Sequence, residues 1–301
     1  MTENAAELER LAAALAAGAT LELELTPKPG LVDRIDNGSH PDLSFPLMER
    51  SIGIVARYLE EIAASLRADE PFARQKEIAI RAERRFLAEL GTNTHKGYIF
   101  LAGMLLIAFH HAGASGEAEV RKSLSAAARD FFAAAEKQET HGERARRRFQ
   151  TGGIVREALD AYPSLFEAAL PAFRQAMERR ARPATAAFAA MARLMRVVDD
   201  TTTLHRGGVE GLERVRRDGQ ALEKLIAGGG DCAAFLERLN RDYKRLNLTI
   251  GGVADMLGLT LGWLVFGGEI DAKAENWSVS PFPDDASRAP RENPPPPRAA
   301  R

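Results

Sequence analysis

The stretch "SIGIVARYLEEIAASLR", residues 51–67, carries the pattern on which the fold prediction rests. Its apolar residues recur at steps of three and four, which places them on one face of an α-helix. This row consists of Ile52, Val55, Leu59, Ile62 and Leu66. The charged residues fall at other positions. The stretch therefore predicts an amphipathic helix with one face in a protein core.

The same helical period continues on both sides of this stretch. It recurs at 72–90, 118–137, 154–180, 184–198, 209–226 and 232–246. Glycine and proline residues interrupt the pattern and predict helix ends, among them Pro163, Pro171 and Gly207–Gly208. Only "TLELEL" (20–25) alternates like a strand, and we expect it to be a helix end. The chain is therefore predicted to be all-α, with a single large domain of about ten helices over residues 1–272.

Two apolar windows and the C-terminal end complete the organisation. The windows "YIFLAGMLLIAF" (98–109) and "MLGLTLGWLVF" (256–266) are shorter than the ~20 residues that a membrane span needs. We expect them to be buried helices. Residues 273–301 are rich in proline and charge and poor in core residues, so they are predicted to form a disordered tail.

Composition excludes several classes of protein. The 301 residues include 41 basic and 42 acidic side chains and give a net charge of −1, whereas a general nucleic-acid binder would be basic. One cysteine, Cys232, excludes an internal disulfide and a cysteine-rich zinc site, and we expect it to be a core residue. The N-terminus has no signal-peptide pattern. These features favour a cytoplasmic protein without a membrane or nucleic-acid partner.

Five polar segments interrupt the helices, and the first is "LTPKPGLVDRIDNGSHPDLSF" (25–45). Prolines on both sides hold Lys28 in extended backbone, and Gly30 permits a sharp turn. The acidic and imidazole side chains that follow are Asp33, Asp36, His40 and Asp42. A rigid lysine beside carboxylates suits a phosphate and its magnesium ion. The alternative is a capped, solvated loop.

The second and third segments contain histidines. In "GTNTHKGYIF" (91–100), Asn93, His95 and Lys96 stand at the entry to an apolar helix, where free amides and the helix dipole favour anions. The alternative there is a simple N-cap by a threonine. In "THGERARRRF" (140–149), the arginine run is expected to be a solvated helix face, and His141 is the functional candidate.

The fourth and fifth segments contain isolated acids. In "VVDDTTTLHRGG" (197–208), Asp199 and Asp200 suit a hard cation. They follow an apolar helix, and a helix C-terminus disfavours acids, which indicates either a continuing helix or a function. In "LTIGGVADMLGLT" (248–260), Asp255 stands alone on an apolar helix, where a partner, a metal or the helix dipole would have to stabilise it.

Six strings in chain order resemble one family. They are "LTPKPGLVD", "GSHPDLSF", "AERRFL", "GTNTHKGYIF", "HRGG" and "GGVADMLGLT". They resemble the triphosphoribosyl-dephospho-coenzyme A synthases, which serve citrate lyase and malonate decarboxylase, over about residues 8 to 267. The resemblance implies an all-helical transferase that uses ATP and 3′-dephospho-coenzyme A. Such an enzyme releases adenine and joins the ribose C1 to an acceptor ribose hydroxyl, which makes a prosthetic-group precursor.

The resemblance also implies a set of site residues. The pocket would be lined by Lys28, Asp33, His40, Asp42, Glu83, Asn93, His95, Lys96, Asp200, Thr201, Arg206, Gly251, Gly252 and Asp255. We expect Lys28, Lys96 and Arg206 to bind phosphates. Magnesium, brought in with the substrate ATP, would be held by Asp33, Glu83, Asp200 and Asp255. The candidate catalytic residues are His95, His141 and Asp200, and one of the two histidines would transfer a proton.

Three segments depart from the family pattern. Residues 199–202 replace Asn-Asp-Thr-Asn, residues 249–255 replace Ser-Pro-Gly-Gly-Ser-Ala-Asp, and residues 153–155 replace Gly-Ala-Arg, with Arg156 displaced by one position. Two alternatives therefore stay open, namely a diverged transferase that acts on another phosphorylated acceptor and a non-catalytic nucleotide-binding protein. A homodimer is the default expectation.

Overall fold

The structure is a computed structural model that describes residues 3–113, 116–133, 152–272 and 277. Within these residues every regular element is helical. The α-helices are α1 (Glu3–Glu24), α2 (Phe45–Arg67), α3 (Phe72–Leu90), α4 (Lys96–Ala112), α5 (Glu117–Ala133), α6 (Gly153–Leu159), α7 (Leu170–Glu178), α8 (Pro183–Val197), α9 (Thr201–Ala227), α10 (Cys232–Arg245) and α11 (Gly251–Phe266). A π-helical turn, Ser164–Ala169, precedes α7. The all-α prediction is confirmed.

The predicted apolar faces form the core. The row of α2 that begins at Ile52 is buried throughout, because its three-and-four spacing points every member to one side. The apolar windows form α4 and α11, as expected, and "TLELEL" is the end of α1 apart from its last residue. Cys232 is buried at the start of α10. Helix α4 lies at the centre, in contact with α1, α2, α3, α5, α6 and α11.

Helices α1 and α11 cross antiparallel with their backbones almost in contact. A Cβ atom at Gly18 would lie 2.6 Å from the Cα of Gly262 and would overlap the Gly258 carbonyl oxygen. A Cβ atom at Gly262 would lie 2.9 Å from the Cα of Leu15. Glycine is therefore required at this crossing, because any side chain would push the two helices apart.

Two predicted helix breaks are confirmed and one is wrong. The break at Gly207–Gly208 is confirmed in the backbone, because α9 is kinked at Gly208, where φ is 63° and the dihedral angles are not helical. Within the predicted pattern over 154–180, α6 ends at Leu159 and both Ala161 and Tyr162 have positive φ, so the helix breaks just before Pro163, as predicted. The predicted break at Pro171 is absent from this part of the chain, because Pro171 lies in the first turn of α7, where no amide proton is needed.

The C-terminal region is described only at Trp277, and the other residues of the predicted tail lie outside the described residues. Trp277 is buried, and its carbonyl oxygen accepts a hydrogen bond from the Thr26 amide at 3.3 Å. Contacts with the core thus reach beyond the predicted boundary at residue 272.

Within the described chain, no single helix is long and apolar enough to span a membrane. Helices α4 and α5 together have the required length and apolar composition, but the chain bends by 118° between them.

The close α1–α11 crossing gives a stability prediction. Gly18→Ala would place its methyl group on backbone atoms of α11, which cannot move aside as a side chain can. We expect a loss of about 2 kcal/mol in the free energy of unfolding, measured by urea denaturation. Gly53→Ala is the control, because Gly53 lies in α2 with open space around it and alanine favours helix there. A Gly18→Ala protein as stable as Gly53→Ala would contradict the prediction.

Candidate active site

A cleft of about 550 Å³ opens between the end of α1, the 25–45 loop and the N-termini of α4 and α11. Its polar and aromatic lining consists of Glu22, His40, Thr94, His95, Tyr98 and Asp255. Its apolar walls include Leu31, Val32, Leu43 and Met48. Three of the five polar segments therefore meet at one cleft, and the segment at 197–208 lies beside it through the contacts of Asp200 described below.

Lys28 is buried in an ion pair with Glu22 beneath this cleft. Its Nζ donates to the Glu22 carboxylate oxygen Oε1 and to the Glu22 carbonyl oxygen, both at 2.6 Å. Lys28 is only 1% exposed. A lysine ammonium in this position compensates the charge of Glu22, which itself lines the cleft. The role of Lys28 on a phosphate stays a prediction.

Asp33 organises the loop that carries Lys28. Its carboxylate accepts hydrogen bonds from the backbone amides of Lys28 at 2.7 Å, Ile35 at 2.7 Å and Asp36 at 3.2 Å. Burial raises the pKa of Asp33 to about 6, although these hydrogen bonds oppose the shift. Gly30 has a φ of 71°, so the predicted sharp turn is confirmed. Both carboxylate oxygens of Asp33 accept hydrogen bonds from backbone amides, so the geometry favours a role in stabilising the loop over a role in binding a metal.

Asp200 links the N-termini of two helices. Its oxygen Oδ1 accepts from the Thr203 amide of α9 at 2.9 Å, and Oδ2 accepts from the Val253 amide of α11 at 2.9 Å. The sequence-based placement of this acid at an unfavourable helix C-terminus is therefore wrong. Asp200 is the N-cap of α9, and both helix dipoles stabilise its charge.

The pair Gly251–Gly252 allows this close approach. A Cβ atom at Gly252 would lie 3.1 Å from Oδ2 of Asp200, and one at Gly251 would lie 2.9 Å from the Thr202 hydroxyl. Thr201 begins α9 and is half-buried against Gly153, where an added Cβ would lie 2.8 Å from the Thr201 methyl. These predicted binding residues thus pack α6, α9 and α11 together beside the cleft.

Asp255 lies in the cleft opposite the N-terminus of α4. Its Oδ2 occupies the space where a side chain at Gly97 would be, so a larger residue there would displace this carboxyl group. Burial, followed by the charges of Asp200 and Glu22, raises the pKa of Asp255 well above its usual value, although a hydrogen bond from the Tyr98 backbone opposes the shift. The cleft therefore contains two acids, Glu22 and Asp255, and Asp200 lies beside it.

His95 is the buried N-cap residue of α4. Its Nδ1 lies 2.6 Å from the Ser51 hydroxyl of α2, and its ring lies 6.2 Å from Tyr98 and 6.4 Å from Phe86. Burial, with the nearby charge of Lys28, lowers the pKa of His95 to about 4. The imidazole is therefore neutral at physiological pH and held in one orientation.

His40 and Arg206 form a second polar group at the cleft. The Arg206 guanidinium donates to the Ser39 carbonyl at 2.7 Å and lies 3.3 Å from His40 Nδ1. His40 Nε2 lies 2.9 Å from the Thr249 hydroxyl. Because arginine can only donate, His40 accepts at Nδ1 and donates at Nε2. Asp42 is exposed and interacts electrostatically with both residues.

The remaining predicted residues lie at the edge or outside the described chain. Lys96 Nζ donates to Glu83 Oε2 at 2.8 Å on the exposed side of α4, so a role of either residue toward ATP or magnesium requires this pair to open. Asn93 has a buried side-chain oxygen without a partner in the part of the chain that is described. His141 lies outside the described residues. No group of three or more His, Cys, Asp or Glu residues among those described is arranged to hold a metal ion.

Sequence reasoning missed Glu22, Ser51 and Thr249. Glu22 lies in "TLELEL", and the acid within an apolar helix end just before Pro-Lys-Pro was the available signal. Ser51 and Thr249 are common residue types in apolar surroundings, and their roles arise only from contacts with histidines far away in sequence.

The partly buried His40 gives a pH prediction. Burial lowers the pKa of His40 to about 4, against 6.5 in an unfolded chain. The unfolded chain therefore binds more protons between these values, and stability present above pH 6.5 is lost as the pH falls toward 4. Between pH 7 and pH 5, the free energy of unfolding of His40→Asn should fall by about 1–2 kcal/mol less than that of the wild type, as measured by urea denaturation. The raised pKa of Asp33 has the opposite effect on stability, but this effect is the same in both proteins and cancels in the comparison. An equal loss of unfolding free energy in the two proteins would contradict the prediction.

Comparison with known proteins places this geometry in a family. The model of the ATP:dephospho-CoA triphosphoribosyl transferase family matches residues 8–272. A 2-(5''-triphosphoribosyl)-3'-dephosphocoenzyme-A synthase of Klebsiella pneumoniae is 36% identical over 80% of this chain and 88% of its own length. A probable synthase of the same name from Pseudomonas putida is 34% identical over 83% and 92%. No solved structure matches.

A third relative extends the likeness beyond these two bacteria. A probable synthase of the same name from Streptococcus equi subsp. zooepidemicus is 32% identical over 80% of this chain and 90% of its own length. The matched region contains every helix from α2 to α11 and most of α1, and therefore the whole cleft. The chain thus belongs to the ATP:dephospho-CoA triphosphoribosyl transferase family.

Proposed function

We propose that the cleft transfers the triphosphoribosyl group of ATP to 3′-dephospho-coenzyme A, with release of adenine. Family membership supports the activity, and the joint presence of Glu22, Asp255 and a neutral His95 in one cleft is the observation that carries the choice of site. The product is the precursor of a carrier-protein prosthetic group. A cytoplasmic location and a homodimer stay predictions.

The reaction is a displacement at the ribose C1 atom of ATP. The bond from C1 to the adenine nitrogen breaks, and its electron pair leaves with the base. A ribose hydroxyl oxygen of the acceptor forms the new bond to C1, and its proton ends on adenine. Because positive charge develops at C1 and negative charge on the base, the site has to stabilise both.

The cleft provides groups for both charges. Glu22 and Asp255 face the same space, and the carboxylate of Glu22 would stabilise the oxocarbenium-like sugar. His95 would lie against the departing base, where a neutral imidazole can form a hydrogen bond without adding charge. The apolar wall of Leu31, Val32 and Met48 would exclude water, which otherwise competes with the acceptor hydroxyl for C1.

The triphosphate would bind at the edge of the site that carries Arg206 and Lys96. Arg206 stands beside His40, and Lys96 is the first residue of α4, whose N-terminus borders the cleft and favours anions. A triphosphate here would draw Lys96 away from Glu83, an exposed pair of low intrinsic stability. This assignment retains Arg206 and Lys96 from the sequence-based prediction and gives Lys28 the role of compensating Glu22.

The acidic residues fit a magnesium ion that arrives with ATP. Magnesium is usually held by one or two protein carboxylates, with substrate phosphates and water as the other ligands, so a cluster of three protein ligands is unnecessary. Burial, followed by the charges of Asp200 and Glu22, raises the pKa of Asp255, and a bound cation would offset both effects. We propose Asp255 as the protein ligand of this ion, which would neutralise triphosphate charge there.

An adenine-release assay tests the function. Purified protein with ATP, magnesium and 3′-dephospho-coenzyme A should release adenine in equal amount to the glycosylated acceptor, both measured by chromatography. Omission of the acceptor should abolish release, because the acceptor hydroxyl provides the oxygen that forms the new bond to C1. Release that needs a different phosphorylated acceptor, or ATP binding without release, would overturn this assignment.

Asp255→Asn separates function from stability. The amide has the same shape but no charge, so we expect kcat to fall at least about 100-fold while the melting temperature stays equal or rises, because the disfavoured carboxylate is gone. Asp231→Asn is the control, since Asp231 caps α10 away from the cleft and asparagine caps equally well. Full activity of Asp255→Asn would exclude Asp255 from the reaction.

A further inference from the structure

Ser51 is a buried polar residue on the apolar face of α2. Its neighbours on that face, Ile52, Ile54 and Val55, are core residues, and Ser51 itself is 0% exposed. A buried hydroxyl without a partner destabilises a fold. The Ser51 Oγ instead lies 2.6 Å from His95 Nδ1 and forms a short contact with the Thr94 hydroxyl. His95 and Thr94 are thus the hydrogen-bond partners of the buried Ser51 hydroxyl.

The ring of His95 is fixed from three sides. Ser51 of α2 holds Nδ1, Phe86 of α3 lies against one side, and Tyr98 of α4 meets the ring edge to face. Within the described chain, Nδ1 is the ring nitrogen that has hydrogen-bond partners. Because His95 lines the cleft, Nε2 is the nitrogen available to a bound molecule.

Counting protons assigns the tautomer of His95. If Ser51 donates to Nδ1, the Thr94 hydroxyl can donate to Ser51 Oγ or to Nδ1, which lies 3.3 Å away. Both hydroxyl protons then have acceptors inside the cluster. If Nδ1 carried the proton, it would donate to Ser51, Ser51 to Thr94, and the Thr94 proton would lack an acceptor within the cluster. Because Thr94 also lines the cleft, that proton would have to go to a group outside the cluster. Hydrogen bonding that is complete within the cluster therefore favours an unprotonated Nδ1 and a protonated Nε2.

We propose that Ser51 is a positioning residue that fixes the Nε2–H tautomer of His95. This inference rests on the proposed function and refines it. With Nε2–H directed at the cleft, His95 is a hydrogen-bond donor to a nitrogen of the departing adenine, and it cannot be the base that removes the acceptor proton. The hydrogen bond strengthens as the electron pair of the broken bond moves onto the adenine ring.

Nitrogen NMR of the full chain with 15N-labelled histidine tests the tautomer. The His95 signals are assigned by their absence from His95→Gln. The wild type should show Nδ1 as the unprotonated and Nε2 as the protonated nitrogen at neutral pH, and Ser51→Ala should show a mixture of both forms. A protonated Nδ1 in the wild type, or an unchanged tautomer in Ser51→Ala, would overturn the proposal. This measurement needs no turnover, so it remains decisive if the proposed reaction fails.

Kinetics with a matched control tests the consequence. Ser51→Ala should lower kcat about 10- to 100-fold with the KM for ATP within about twofold, because the donor acts on the leaving base rather than on substrate binding. Ser51→Thr keeps the hydroxyl and should recover most of kcat. Ser65→Ala is the control, since Ser65 is also buried on α2 but bonds Gln75 at 2.9 Å. Equal kcat values for Ser51→Ala and Ser65→Ala would overturn the proposal.

Discussion

The close antiparallel crossing of α1 and α11 determines where the acids of the cleft lie. At Gly18 and Gly262 the two backbones meet with no room for a side chain, and a Cβ atom at Gly258 would lie 3.0 Å from the Tyr98 ring. Glu22 lies one turn beyond Gly18, and Asp255 lies nearly one turn before Gly258, so the antiparallel arrangement brings both to the same end of the crossing. The Tyr98 hydroxyl joins α4 to this pair of helices by a hydrogen bond to the Leu15 carbonyl at 2.5 Å. A wider crossing would separate all three walls of the cleft.

Each acid near the cleft has a different source of compensation. Glu22 has the buried ammonium of Lys28, Asp200 has the amides at two helix N-termini, and Asp255 has chiefly the backbone at the start of α4. The pKa of Asp255 is accordingly raised by burial and by its two acidic neighbours, which identifies it as the carboxyl that gains most from a bound cation. The negative charges of Glu22 and Asp200, which support the fold, are thus compensated more strongly than that of Asp255, which lies in the cleft.

The sequence predicted the helices and the convergence of polar segments better than individual roles. Helical periodicity depends on local spacing, so the buried row of α2 and the helices α4 and α11 followed directly from it. Asp200 was misplaced because residue order alone does not show that one helix ends at Val197 and the next begins at Thr201. Glu22 and Ser51 could not be found from local pattern, because their partners lie in other segments and only the fold brings them together.

Most departures from the family pattern lie at positions whose hydrogen bonds are made by the backbone and not by the side chain. Asp200 is held at α11 by the Val253 amide and not by its side chain, so valine in place of serine leaves this link intact. The Thr249 carbonyl accepts from the Thr203 hydroxyl at 2.7 Å, a bond that any residue at 249 can make. Asp199 in place of asparagine is paired with Arg216 at 2.7 Å outside the cleft. Arg156 pairs with Asp160 on the surface, so it does not replace the displaced family arginine. The substitutions around Asp200 are therefore compatible with an intact cleft, and the region of Gly153 is where a difference in acceptor binding would arise.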